Sequence, residues 1–166
     1  MEKHKVLTID QKESKILHQS LEKVDFSEIP KKELKELAKK MRQIMKEAKG
    51  IGLSANQIGL DLRFFVAEVP DSQGRCKFYA LANPEIIKRY EEKEVLEEGC
   101  LSVPGMVGVV ERPSKVIISG FDTNGRKVKI KAWGLLARVF QHEIDHLDGI
   151  LFIDRTKEAY KIPKND

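Results

Sequence analysis

His142-Glu143-Ile144-Asp145-His146 sets two imidazoles four residues apart, with a carboxylate directly after the first. On a helix, residues i and i+4 lie one above the other, so both rings can reach one ion while Glu143 projects about 100° around from His142. That is half of a catalytic metal site, in which the glutamate works on water without being a ligand. A five-residue pattern also arises on solvated helix faces. Here Leu135, Leu136, Val139, Phe140 and Leu147 surround it, which predicts a largely buried helix where unbonded polar groups would be costly.

A catalytic metal site usually takes three protein ligands and keeps one open position. The chain has two cysteines. Cys100 lies in Glu97-Glu98-Gly99-Cys100-Leu101-Ser102, where Gly99 would allow an unusual backbone turn. Cys76 lies in the polar turn Gln73-Gly74-Arg75-Cys76. We read Cys100 as the thiolate ligand and Cys76 as a bystander. The competing readings are a disulfide between them or an inert small hydrophobe. Val6 to Ile9 is too short for a secretory segment, so a reducing compartment is expected and a disulfide disfavoured.

Three segments, Gly50-Ile51-Gly52-Leu53-Ser54-Ala55-Asn56-Gln57, Glu98-Gly99-Cys100-Leu101-Ser102 and Gln141-His142-Glu143-Ile144-Asp145-His146, occur in this order. Together they resemble the three signature motifs of the peptide deformylases. The resemblance runs from about Leu34 to Asp154 and weakens at both ends. It implies a metal-dependent hydrolase that removes the formyl group from N-formylmethionyl nascent peptides, giving formate and a free amine.

The resemblance also implies roles. Cys100, His142 and His146 would hold one divalent ion, ferrous iron in the cell, with zinc, nickel or cobalt able to substitute. Glu143 would take a proton from water and deliver it to the leaving amine. The Gln57 amide and the Leu101 backbone N–H would donate to the oxyanion; without the other motifs Gln57 would read as a solvated loop residue. Gly50, Ile51 and Gly52 would line the substrate slot, with Ile51 and Gly99 pairing with the peptide backbone. Leu135 and Val139 sit at helical steps before His142 and His146, so the ligand face continues as an apolar wall suited to an unbranched side chain. Asp145 reads either as a partner orienting a ligand histidine or as a helix-surface aspartate.

Other residues depart from the family pattern. Ser54 stands where alanine is usual, with little effect expected. Arg138 replaces an apolar residue in the metal helix and would edge the pocket or reach solvent. Ser14-Lys15-Ile16-Leu17-His18 replaces a proline-led segment, and His4 and His18 read as surface residues. Little chain follows Phe152-Ile153-Asp154, and Pro163 interrupts it, so a long terminal helix for docking on the ribosome is not expected. Two other classes share parts of this chemistry. A zinc endopeptidase would draw its third ligand from Asp148, Asp154 or Glu158. A non-enzymatic relative would keep the metal and have no need of Gln57 or Glu143.

The elements that must position these residues can also be read. Leu34, Leu37, Ala38, Met41, Ile44, Met45 and Ala48 recur at helical spacing between Pro30 and Gly50, predicting a helix that stops at Gly50 and delivers the chain into the glycine-rich motif. Residues 63–69, 77–83, 115–121 and 127–131 read as strands, with Asn124-Gly125 as a hairpin signal. The expectation is one domain over residues 1–166, α+β in class, with mainly antiparallel sheets around a central buried metal-binding helix. At 41% hydrophobic and 34% charged the chain has the balance of a soluble globular protein, and no apolar run would span a membrane. The net charge of +4 is assigned to lysine-rich solvated faces, compatible with ribosome proximity but with no specific nucleic-acid partner. A cytoplasmic or organelle-matrix location is expected.

Overall fold

In the computed structural model, which describes residues 5–25 and 27–163, the first long element is α1 (Lys31–Glu47). Leu34, Ala38, Met41 and Met45 recur on one face and are buried, while most of the lysines lie in solvent. Pro30 sits before the first turn, where its missing N–H removes no helical bond. The stop falls one residue earlier than Gly50: Lys49 takes the left-handed conformation, with φ of 59°. Lys49 N–H then donates to the Lys46 carbonyl and Gly50 N–H to the Met45 carbonyl, both at 2.9 Å, closing the helix end.

The strands that follow are β1 (Gly52–Ser54), β2 (Phe64–Pro70), β3 (Cys76–Arg89), β4 (Lys93–Cys100), β5 (Val103–Pro113), β6 (Lys115–Phe121) and β7 (Lys127–Trp133); β8 (Ala159–Lys161) comes after the second helix. One sheet has the order β1-β2-β3-β6-β7 and the other β4-β5-β8, with every pairing antiparallel. The four strands expected from sequence all fall in the first sheet. The second escaped because β4 carries no outward sign of a buried face: Val95 and Leu96 are exposed and Glu98 is buried. Between β6 and β7, Asn124-Gly125 is not a two-residue turn. Asp122 and Arg126 close a longer loop, the Asp122 carboxylate accepts from the Asn124 and Arg126 N–H groups, and Gly125 alone is left-handed.

The second helix, α2 (Gly134–Leu147), is buried along most of its length. Phe140 meets Phe65 and Tyr79 at ring-centroid distances of 5.6 and 5.1 Å, and Ile144 and Leu147 join the same core against the first sheet. Its opposite face looks toward the second sheet. A second apolar cluster packs α1 on β1 and β2, and a third holds Val103, Val110, Leu151 and Phe152 beneath the small sheet. Residues 152–154 form a single 3₁₀ turn before β8 pairs with β5; among the described residues no further helix follows α2. Among the described residues no helix is long and apolar enough to cross a membrane. Both cysteines are free, Cys76 on the surface. His18 is exposed at the end of a 3₁₀ helix (Lys12–His18), and His4 lies outside the described residues.

A salt bridge fastens α1 to β2: Arg42 donates to Glu68 from Nε at 2.6 Å and from a terminal nitrogen at 3.0 Å, with Lys46 Nζ 3.2 Å from the same carboxylate. The Arg42 bonds come first among the causes that hold the Glu68 carboxyl at about 2, below its ordinary 4.5. A depressed carboxyl adds stability that is complete above the unfolded value and fades as pH falls toward the folded one. Glu68→Gln should therefore lower the urea midpoint at pH 7, and the gap to wild type should shrink by at least about half by pH 3. An undiminished gap at pH 3 would exclude the ion pair as its source.

Candidate active site

Three elements meet between the sheets. The 3₁₀ turn Ala55–Ile58 follows β1 and carries Gln57, β4 ends in Cys100, and α2 carries His142, Glu143 and His146. Helical spacing stacks the two imidazoles, as their recurrence at i and i+4 requires, with Nε2 atoms 3.2 Å apart. Cys100 Sγ lies 3.2 Å from His146 Nε2, and the three ligand atoms are all within 4.8 Å of one another. Two imidazoles and one sulfur at these separations fit a divalent first-row metal, whose tetrahedral bonds of about 2.0–2.3 Å would put neighbouring ligand atoms about 3.3–3.5 Å apart. Asp148 and Asp154, the acids an endopeptidase reading would recruit, are engaged elsewhere, by Arg63 and by the Leu151 N–H.

The electrostatics of the protein alone point the same way. Burial works to lower the His142 imidazole, but its hydrogen bonds with Cys100 and Glu98 outweigh burial and hold it up at about 10. Burial and then the charge on His142 push His146 well below its ordinary value. The pocket between sulfur and imidazoles thus favours one positive charge, the role an ion would take over. His142 Nδ1 is 2.8 Å from Glu98 Oε1, which turns Nε2 toward the other ligands.

Glu98 is the functional residue that sequence reasoning left out. Its carboxylate accepts from Arg112 at 2.6 and 3.0 Å, from Arg138 at 2.9 Å and from His142; burial works to raise it, but the bonds from His142 and then Arg112 outweigh burial and hold it at about 2. Arg112 also donates to Asp145 at 2.8 Å, and Arg155 to the same aspartate at 2.6 and 3.1 Å. Asp145 is therefore buried inside an ion network and is no helix-surface residue. Arg138 does not reach solvent: it bonds Glu98 and the Val110 and Glu94 carbonyls while its side chain edges the pocket. One signal was available: Arg112 shares the inward phase of its strand with Val110, where a charge needs a buried partner. Arg112→Leu should cost about 3 kcal/mol, because two buried carboxylates lose a partner. Urea unfolding of the metal-loaded protein checks this, and a loss under about 1 kcal/mol would count against the network.

Gln57 is buried, its Oε1 accepting at 3.0 Å from both the N–H and the hydroxyl of Ser54. Its Nε2 is thereby turned to Ser102 Oγ at 3.1 Å and Cys100 Sγ at 3.7 Å. Asn56 donates to the His146 carbonyl at 2.6 Å, tying this turn to α2. Glu143 is 3% exposed, its Oε2 is buried without a hydrogen-bond partner among the described residues, and burial raises its carboxyl to about 7. Gly52 lies directly against it. A Cβ built on Gly52 would come within 2.4 Å of Glu143 Oε1 and 2.9 Å of Cδ, so this glycine is required by close approach.

A cavity of about 530 Å³ opens onto this cluster. Gly50, Ile51 and Gly52 line one side, Gly99 and Leu101 the other, and Leu135 and Val139 the end formed by α2. Two expectations need correction. Leu135 is 45% exposed while Val139, one turn on, is buried, so Leu135 forms the rim of the wall and Val139 its buried part. Gly99 makes no unusual turn; it lies in β4 at a register shift before Cys100 and is not among the left-handed residues.

A sequence-family model described as polypeptide deformylase matches residues 4–161. The chain is 50% identical over 129 residues to a peptide deformylase of Halothermothrix orenii, covering 78% of this chain and 80% of that one. A probable peptide deformylase from Synechococcus phage S-SSM7 superposes with a TM-score of 0.81 at 40% identity, covering 91% of this chain and 98% of that one. A class I type b peptide deformylase from Acinetobacter baumannii, solved with Met-Ala-Ser bound, superposes with a TM-score of 0.81 at 33% identity, covering 90% and 96%.

Proposed function

This chain belongs to the peptide deformylase family, and on that premise we propose how its own residues carry the reaction. The family removes the formyl group from the amino terminus of nascent peptides, and the chain is a metal-dependent hydrolase of this kind. The observation that carries the site assignment is the cluster of one sulfur and two imidazole nitrogens within 4.8 Å, with the Glu143 carboxyl and the Gln57 amide facing the same cavity.

We assign Cys100, His142 and His146 as the ligands and, by the family resemblance, ferrous iron as the cellular ion, with zinc, nickel or cobalt able to substitute. When bound, the ion supplies Lewis acidity, making water nucleophilic at neutral pH and drawing electron density from the formyl oxygen. Glu143 accepts the proton that water loses as it adds to the formyl carbon. Gln57 Nε2 and the Leu101 N–H donate to the oxygen that becomes negative. Glu143 then returns the proton to nitrogen as the C–N bond breaks, so formate leaves with the new oxygen and the peptide leaves as an amine.

β1 is an edge of the first sheet and β4 an edge of the second, and both face the cavity. An extended peptide laid between them can pair with Ile51 on one side and Gly99 on the other, the close approach eased by Gly50 and Gly52. Val139 and Leu135 would then receive the methionine side chain. Met-Ala-Ser, which the Acinetobacter relative binds, is what deformylation of formyl-Met-Ala-Ser leaves. We read residues 1–166 as one catalytic domain acting in a cytoplasmic or organelle-matrix compartment, where the thiolate stays reduced.

Formate release from formyl-Met-Ala-Ser by protein prepared without oxygen and loaded with iron or nickel tests the assignment, since thiolate oxidation would remove a ligand. Release is expected. None from protein holding one ion per chain would overturn it.

A further inference from the structure

We propose that Ser54 is a positioning residue that holds the Gln57 amide in the one orientation able to donate to the oxyanion. The inference rests on the reading of Gln57 as an oxyanion donor and goes beyond it.

A glutamine amide has two nearly identical ends, and only its nitrogen can donate. Both donors that meet Gln57 Oε1 belong to Ser54: the backbone N–H at 3.0 Å and the hydroxyl at 3.0 Å. A backbone N–H can only donate, so the end facing it must be oxygen, and Nε2 is forced toward Ser102 Oγ at 3.1 Å and the Cys100 side. Without the hydroxyl, Oε1 would keep only the N–H bond, and the amide would rest on that bond and the one from Nε2 to Ser102 Oγ, about which its plane can rock. The Ser54 hydroxyl adds a second point, and two bonds to one oxygen fix the plane. Ser54 and Gln57 are both buried and stand at the N-cap and N3 positions of the short 3₁₀ turn, the capping-box arrangement that sets the two side chains against each other. The local bond open to a hydroxyl at this position is made, and it is made to the group we assign to the oxyanion, which gives Ser54 a larger part than its size suggests.

Four proteins test this: wild type, Ser54→Ala, Gln57→Ala and the double variant, each with measured metal content and melting temperature. Ser54→Ala should lower kcat about 5-fold, the loss expected for one buried hydrogen bond, with KM changed less than about 2-fold. In the Gln57→Ala background the same change should have no further effect, because the amide it orients is gone. In the zinc-loaded protein, ¹⁵N relaxation of the Gln57 side-chain amide, assigned by its loss in Gln57→Ala, should report an amide as ordered as the backbone and less ordered in Ser54→Ala. Unchanged kcat in Ser54→Ala beside an impaired Gln57→Ala overturns the role of Ser54 alone. An unimpaired Gln57→Ala overturns both. Equal losses in the two backgrounds reduce Ser54 to packing, and a mobile Gln57 amide in the wild type refutes the proposal without any variant.

Discussion

Glu143→Gln should abolish formate release, lowering kcat by about 10³-fold, within the range for losing a positioned general base. It should do so with the metal retained and the melting temperature no lower than wild type. The side chain is buried, one carboxylate oxygen has no hydrogen-bond partner among the described residues, and burial pushes the carboxyl to about 7. Keeping a carboxylate there works against the fold, so an amide of the same shape should be tolerated at least as well. Burial that raises the proton affinity of a carboxyl also suits it to taking a proton from water and returning it. The proposed ligands Cys100, His142 and His146 are untouched by the change. Metal content by elemental analysis, melting temperature and formate release should therefore separate cleanly. Activity within about tenfold of wild type would remove Glu143 from the proton-transfer role.

Gly52→Ala should cost about 10²-fold in kcat, although it adds one methyl group to a residue that bonds no ion and donates no proton. The methyl would stand 2.4 Å from Oε1, 2.9 Å from Cδ and 3.1 Å from Cγ of Glu143. Gly52 is registered against Ala67 in the first sheet, and Glu143 is carried by a helix buried along that face, so neither backbone can yield freely. The side chain that moves is the carboxyl, and a displacement near 1 Å is enough for about a hundredfold loss. Steady-state kinetics on metal-loaded protein checks this, with the Glu143→Gln value as the floor. Activity within about threefold of wild type would mean that the carboxyl can act from another position.

The buried ion network changes how the metal site is understood. Glu98 joins His142 to Arg112 and Arg138, and Asp145 joins Arg112 to Arg155 on the segment that follows α2. The imidazole of His142, a proposed ligand, is thereby oriented by groups drawn from β4, β5, α2 and the chain beyond it. Such networks are costly to desolvate and more costly to break, which makes the relative placement of these elements all but obligatory.

The sequence alone determined the parts that depend on local geometry. Two histidines at i and i+4 share one helix face whatever surrounds the helix, so His142 and His146 could be paired before any fold was known. Leu34, Ala38, Met41 and Met45 announced α1 by the same periodicity. The strands of the first sheet were legible because their β-branched and aromatic runs are bounded by turn residues. Cys100, Gln57 and Glu143 came from ordered motifs and the family they resemble. Tertiary structure decided what depends on approach between distant segments. β4 and β5 hid their pairing because an inward Glu98 and an inward Arg112 find each other only when the strands pair, and their remaining partners only when α2 packs against them. For Asp145 the choice between a partner of a ligand histidine and a surface aspartate, and for Arg138 between the pocket edge and solvent, rests on arginine and glutamate partners 33 and 40 positions away that only the fold brings up. Gly52 is needed because Glu143 arrives there from α2, and Ser54 matters through the amide it faces. Helical spacing is a property of the chain, whereas a charge that can be buried or a methyl that cannot fit is a property of its neighbours, which only packing supplies.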